Sequence, residues 1–346
     1  MKRQLYISGL SKLGDYIKDF LANDPLQQNE KFSDFNSIIR KSEIDNPWFT
    51  EENQKYALNE WATLLNEENL SEWLQDYRFS ETPKKIGLVL AGNIPLVGFH
   101  DVICTVLSGN IAVIKPSSKD KIMIPFMLKK WNEFSKPLPI PFEIVEKLTD
   151  YDAVIATGSN NTARYLEYYF KNSLSLIRKN RTSVAVLSGE ETDEEIRALA
   201  NDIFRYFGLG CRNVTRIFIP KNFLLERLFE NFMDFQEVIH HHKYANNYDY
   251  NRAIYLLNQE KFWDNNFVLL KEDEKLFSPL AALHFSRYEQ TDEVHQFIKE
   301  NEENIQCIVA QPQLGISNSI NMGNAQKPSL STYADNVDTM RFLEVI

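Results

Sequence analysis

Between Lys84 and Ile114 the chain runs from an unbroken apolar stretch, Lys85-Ile86-Gly87-Leu88-Val89-Leu90, through a helical pattern over residues 96–107 into a second one, Ile111-Ala112-Val113-Ile114. Gly109-Asn110 turns the chain between helix and strand. Strands apolar on both sides must be covered on both faces, and a helix joining two of them is the crossover that parallel pairing requires. The pattern repeats loosely, with a helix over 122–134, strands over 142–145 and 153–156, a helix over 162–171 and a strand over 183–187. This predicts a doubly wound α/β architecture, which takes ligands at the carboxyl ends of its strands.

The 346 residues, 43% hydrophobic and 25% charged, suffice for two lobes, each with its own core. A net charge of −10 argues against nucleic acid, because phosphate-backbone binding needs a basic field. No apolar run approaches the length of a membrane span. From Met1 to Leu21, Lys12, Asp15 and Lys18 interrupt any signal-peptide core, while Leu10, Leu13, Ile17, Phe20 and Leu21 mark an amphipathic helix. Trp61, Leu64, Leu65, Leu70, Trp73 and Leu74 extend a mostly helical texture through the first eighty residues. Cys104, Cys211 and Cys307 are too few and too scattered for a disulfide framework, which suits a reducing cytoplasm.

Cys211 lies in Phe207-Gly208-Leu209-Gly210-Cys211-Arg212-Asn213, between a helical pattern (Ile196, Leu199, Ala200, Ile203, Phe204, Phe207) that Gly208 should stop and a β-pattern over 214–219. A thiol on such a turn is placed as a nucleophile would be, although position alone leaves a structural cysteine open. Three loops follow apolar strands: one holds Asn93 and Pro95, the next Lys115-Pro116-Ser117-Ser118, and a third Thr157-Gly158-Ser159 ahead of a helix. The last can offer N–H groups and a hydroxyl to a pyrophosphate, or serve only as a capping turn. Lys115 taken singly reads as a solvated strand-end lysine, and Asn93 as a turn former. His240-His241-His242 resembles a metal cluster, but adjacent side chains diverge and no acid or cysteine stands at ligand spacing, so no metal is expected. The run Glu190-Glu191-Thr192-Asp193-Glu194-Glu195 reads as the acidic first turn of a helix, and Cys104 and Cys307 read as core.

In order, Asn-x-Pro, Gly-Asn with Lys-Pro-Ser, Thr-Gly-Ser, Gly-x-Cys and Phe277-Ser278-Pro279-Leu280 resemble the motif series of the aldehyde dehydrogenase superfamily, over roughly residues 84–310. The loop Ala91-Gly92-Asn93-Ile94-Pro95, the Gly-Leu-Gly-Cys turn and the ending Tyr333-Ala334-Asp335-Asn336-Val337-Asp338-Thr339-Met340 are similar to the acyl-CoA reductases of the LuxC family. That resemblance implies reduction of an acyl thioester, a fatty acyl-CoA above all, to an aldehyde with a nicotinamide cofactor. Cys211 would be the nucleophile, helped by Arg212, and Asn93 would donate to the oxyanion beside the Cys211 backbone N–H. Lys115, with Ser117, Ser118 and Lys119, would hold the adenosine ribose or its 2′-phosphate. Thr157, Gly158 and Ser159 would hold the pyrophosphate, and Phe277 would line the nicotinamide ribose pocket.

The fold implied is aldehyde-dehydrogenase-like: a helical N-terminal region and cofactor domain over 1–183, a smaller α/β catalytic domain over 184–320, and a tail over 321–346 that returns to the body or crosses to another subunit. A homo-oligomer is expected, and CoA, a carrier protein or an acylated partner enzyme could bring the acyl group. Two departures from the superfamily bear on chemistry. Where ordinary aldehyde dehydrogenases carry a glutamate that activates water, this chain reads Leu176-Ile177-Arg178-Lys179-Asn180-Arg181, so its acyl-enzyme should resist hydrolysis. The superfamily's ribose-binding glutamate is replaced by Lys275, with Glu274 beside it, and the positions after Lys115-Pro116 favour NADPH while leaving NADH open. The rival readings are an acyl-phosphate reductase or semialdehyde dehydrogenase on the same fold, a cysteine acyltransferase without redox chemistry, and a binding scaffold.

Overall fold

The apolar stripe of the first segment folds as expected: helix α1 (Lys2–Ala22) buries Leu10, Leu13, Ile17 and Phe20. The computed structural model describes residues 2–23 and 30–346, so Met1 and residues 24–29, which the expected helical texture also covered, lie outside the described residues. Helices α2 (Ser33–Asp45), α3 (Glu51–Leu64) and α4 (Glu67–Leu74) follow. Then come β1 (Lys85–Val89), α5 (Phe99–Leu107), β2 (Ile111–Lys115), α6 (Met123–Phe134), β3 (Phe142–Ile144), β4 (Ala153–Thr157), α7 (Asn160–Tyr169) and β5 (Leu174–Arg178). The five strands form one parallel sheet in the order β3-β2-β1-β4-β5. Its central strands are buried on both faces, as their unbroken apolar sequences required. On one side they meet a core that runs from Leu13 and Ile17 of α1 to Trp131 of α6, whose indole N–H donates to the Tyr6 carbonyl at 3.0 Å.

A second sheet begins with β6 (Thr182–Val186) and continues through α8 (Asp193–Phe204), β7 (Val214–Pro220), α9 (Glu226–Phe232), α10 (His242–Leu257), β8 (Trp263–Asp264), β9 (Leu269–Glu272), β10 (Ala282–Tyr288), α11 (Thr291–Glu300), β11 (Ile305–Ala310) and β12 (Ser319–Ile320). Its order is β12-β11-β6-β7-β10-β9-β8, parallel except for β8 against β9. Helix α12 (Thr339–Glu344) ends the chain.

The chain divides into two compact units, residues 1–179 with 329–346, and residues 180–328. The division precedes the expected 183/184 boundary because β6 begins at Thr182 and pairs only within the second sheet. Of the segment expected as a tail that returns to the body or crosses to another subunit, 321–346, the last eighteen residues pack on the first unit and the rest belong to the second. There Arg178 donates to both carboxylate oxygens of Asp101, at 2.7 and 2.6 Å, and to Thr339 Oγ1 at 2.8 Å. Trp73 Nε1 donates to Tyr333 Oη at 2.8 Å, while Met340 and Leu343 enter the core. Strand β5 was not expected. It holds the Leu176-Ile177-Arg178 stretch, and the basic residue at its end is a buried structural partner of Asp101.

Candidate active site

In the first unit the strand order reverses about β1, which pairs with β2 on one side and β4 on the other. Loops leaving adjacent strands in opposite directions open a crevice at the carboxyl edge. Asn93 follows β1, Lys115 ends β2 and Thr157 ends β4, so all three motif loops reach that one edge. The first two of these loops are also packed together. A Cβ on Gly92 would fall 2.5 Å from Ser117 Oγ, so only glycine lets the Asn93 loop approach the loop after β2 this closely.

The helix expected from Leu96 starts instead at Phe99, because Leu96 adopts a left-handed conformation with φ 59°. The buried Asp120 holds it there, accepting the Leu96 N–H at 3.2 Å. Burial pushes the Asp120 carboxyl up to about 6, against hydrogen bonds from the Leu96 and Met123 backbone that favour its ionised form. Nothing in the sequence pattern singled this residue out. The signal available was an acid immediately after Lys-Pro-Ser-Ser-Lys, a place where a solvated turn acid is the ordinary reading. Ser117 Oγ accepts the Lys119 N–H at 3.2 Å, and the side chains of Ser118 and Lys119 are exposed. Ser159 is the N-cap of α7, its hydroxyl accepting the Thr162 N–H at 3.3 Å, with Gly158 just before it. The capping and anion-binding readings of this turn are compatible, because the cap uses the side chain and an anion would use the first-turn N–H groups.

In the second unit α8 opens with the expected acidic turn: Thr192 and Glu195 form a reciprocal capping box. Its end differs from the expectation. The helix stops at Phe204, and Tyr206, Phe207 and Gly208 then take left-handed conformations, with φ 55°, 57° and 76°. Phe207 therefore belongs to the turn and not to the helix. Two non-glycine residues held left-handed in succession store strain of order 1–3 kcal/mol each, which the surroundings must offset. Here Phe207 is buried against the His241 ring at 4.4 Å, and Tyr206 is buried as well.

Cys211 follows on this turn, half-buried, just ahead of β7. Ser183 Oγ donates to its carbonyl oxygen at 3.2 Å and contacts Cys307 Sγ at 3.0 Å. Arg212 donates through Nε to the Ala325 carbonyl. The neighbouring Asp202, fully buried, accepts from Gly323 N at 2.6 Å and Ala325 N at 2.9 Å, and burial still raises its carboxyl to about 7. Burial pushes the thiols of Cys104 and Cys307 up, which disfavours a thiolate at either. None of Cys104, Cys211 and Cys307 is in a disulfide.

A cavity of about 230 Å³ lies beside the Cys211 turn, bounded by Gly208, Gly210, Phe204, Tyr244, Phe277 and Leu280. Cys211's turn and Phe277 thus meet within one unit. The Phe277 segment is fixed from behind by Arg216, whose Nη1 donates to the carbonyls of Asp273 at 2.8 Å and Lys275 at 2.9 Å, leaving the Glu274 and Lys275 side chains exposed. Asn93, Lys115, Ser117, Ser118, Lys119, Thr157, Gly158 and Ser159 belong to the other unit. Among the described residues no group of three or more His, Cys, Asp or Glu is arranged to hold a metal ion, and His241 packs at a tilt against Phe207 and stacks on His242. No described helix is long and apolar enough to cross a membrane.

The acyl-CoA reductase (LuxC) family model matches residues 55–226, which span both the Asn93 loop and the Cys211 turn. No curated protein matches the chain. Among solved structures it is similar to an acetylating aldehyde dehydrogenase of Geobacillus thermoglucosidasius, with a TM-score of 0.64 and 10% identity, covering 99% of this chain and 90% of that one. It is also similar to an NAD-dependent benzaldehyde dehydrogenase of Corynebacterium glutamicum, at 0.65 and 10% with coverage of 94% and 83%. A third is aldehyde dehydrogenase C of Pseudomonas syringae in complex with NAD+ and octanal, at 0.63 and 12% with coverage of 90% and 73%. The fold is that of the aldehyde dehydrogenases.

Proposed function

We propose that this chain, whose residues 55–226 match the acyl-CoA reductase (LuxC) family model, reduces an acyl thioester to an aldehyde through a thioester formed on Cys211, with NADPH as the reductant. The observation that carries this reading is the Cys211 turn: a half-buried thiol that follows left-handed Tyr206, Phe207 and Gly208, on a turn that borders a cavity, in a chain whose other two thiols are disfavoured as thiolates by burial. Left-handed backbone at non-glycine residues, such as Tyr206 and Phe207 here, clusters at functional sites.

The thiolate of Cys211 attacks the thioester carbonyl carbon, the bond to the CoA sulfur breaks, and the CoA thiolate leaves to take a proton from solvent. One thioester replaces another, so the exchange is nearly balanced in free energy. When bound, the nicotinamide supplies the hydride that brings the acyl carbon to the aldehyde oxidation level. Asn93 and the Cys211 N–H would stabilise the oxyanion, and its collapse breaks the carbon–sulfur bond, releasing aldehyde and restoring the thiolate. With Arg178 at the end of β5 committed to Asp101, that stretch offers no base to activate water, which preserves the acyl-enzyme for reduction.

The first unit is then the cofactor domain and the second the catalytic domain. Lys115, Ser117, Ser118 and Lys119 would meet the adenosine ribose and its 2′-phosphate, since the one acid of that loop, Asp120, is buried on Leu96. Thr157, Gly158 and Ser159 would hold the pyrophosphate, and Phe277 the nicotinamide ribose. A homo-oligomer in a reducing, cytoplasmic setting completes the reading. Purified protein given NADPH and a series of acyl-CoAs should oxidise cofactor and release free thiol one for one, with NADH a poorer donor. Cys211→Ala should abolish both signals, and an alanine variant that kept reducing thioesters would remove Cys211 from the mechanism.

A further inference from the structure

We propose that Asn213, two residues beyond the thiol, is the positioning residue of the Cys211 nucleophile, an inference that rests on the reading of Cys211 just given. Helix α8 ends with unpaired carbonyls, and a glycine in a regular C-terminal turn would ordinarily let backbone N–H groups satisfy them. The chain instead turns through left-handed Tyr206, Phe207 and Gly208. The side chain of Asn213 takes over the capping: its Nδ2 donates toward the carbonyls of Asp202 at 3.1 Å, Ile203 at 3.2 Å and Arg205 at 2.9 Å. The other end of the same amide, Oδ1, accepts the Gly210 N–H at 2.8 Å.

One fully buried side chain therefore ties the helix end to the residue next to the thiol. The Asn213 backbone closes the remaining sides. Its N–H donates to Gly210 O at 3.1 Å, and its carbonyl accepts from Ser183 N at 3.1 Å and Thr182 Oγ1 at 3.2 Å, fixing the turn to β6. Ser183 completes the clamp on the Cys211 carbonyl. Only an amide of this length carries donors and an acceptor at opposite ends. A carboxylate would accept from Gly210 but face three carbonyl oxygens, and a hydroxyl would be too short and too poor in donors. Attack on a thioester carbonyl needs the sulfur held in a near-attack geometry, and a displacement of about 1 Å can cost about a hundredfold in rate.

The test uses the full chain with Asn213→Ala and Asn213→Asp, an acyl-CoA and NADPH, and iodoacetamide as a probe of the Cys211 thiol mapped by mass spectrometry. We expect the alanine variant to fold, to lose about a hundredfold in kcat with KM for acyl-CoA changed by less than about threefold, and to show a shifted pH profile of Cys211 alkylation. The aspartate variant should regain rate as pH falls and its carboxyl takes up a proton that can again donate to a carbonyl, a pH response absent from the alanine variant. A folded alanine variant with native kcat and native alkylation profile overturns the proposal. So does failure of both variants to fold, which would make Asn213 a folding residue. Retention of thioester reduction by Cys211→Ala overturns the nucleophile reading itself, whatever the Asn213 variants do.

Discussion

Asp120 shows how a single buried carboxyl can govern a loop that carries chemistry. Its acceptor oxygen holds Leu96 in a conformation that leucine otherwise avoids, and that hold keeps the Asn93 loop from continuing into α5. The carboxyl's pKa is raised from 3.8 to about 6 by burial. A raised folded-state value means that the stability contributed by the bound proton is complete below about pH 3.8 and is lost as pH rises through about 6. Asp120→Asn keeps an oxygen for the Leu96 N–H and has no proton to lose. Thermal melts of both proteins between pH 4 and 7 should therefore show the variant gaining on the native protein as pH rises, and a constant difference would refute the burial of an ionisable Asp120. The sequence displayed Asn93, Lys115, Ser159 and Cys211 by their order, whereas Asp120 and Asn213 stayed invisible. Their roles are to satisfy backbone groups brought near by folding, and no local pattern records such a partner.

At the scale of elements, signals that depend on adjacent residues were legible and signals that depend on packing were not. The acidic run before α8 became a capping box because Thr192 and Glu195 need only each other and the local backbone. Thr192→Ala should cost about 1 kcal/mol, read from chemical denaturation, with little change in the activity of the folded protein. The end of the same helix eluded the pattern. Phe207 continues the apolar spacing, but its ring is buried on His241, and the backbone leaves the helix three residues before Gly208. Helix α5 was likewise read three residues early, at Leu96, because the constraint on that residue comes from a side chain 24 positions away. Strand β5 went unread between a capped helix and β6, since Leu174-Ser175-Leu176-Ile177-Arg178 is an edge strand with a half-exposed pattern, short of the continuous apolar signal of its neighbours.

In the whole molecule, residues 329–346 return to the first unit and meet a buried ion pair there. Arg178 and Asp101 are each about one-twentieth exposed, at 4% and 5%, and Thr339 from the returning segment accepts from the same guanidinium. Removing one member leaves the other charge buried and unpaired, so Arg178→Ala should destabilise the protein by about 3–5 kcal/mol in chemical denaturation. Adding Asp101→Ala to that variant should recover part of the loss, because the orphaned charge is gone. If the double variant proves no more stable than Arg178→Ala, the pair is not the lock on this segment. Local sequence was enough to specify the parallel α/β class, the central strands, the acidic start of α8 and the order of the motif loops, because unbroken apolar runs and caps are written in neighbouring residues. What only the tertiary structure decided is which distant groups meet: the reversal of strand order that gathers three loops at one edge, the return of the C-terminal segment, and the amide of Asn213 that fixes the Cys211 turn. Those depend on burial and hydrogen bonding between residues far apart in the chain, where the free energy of a contact is set by what else has been excluded from water.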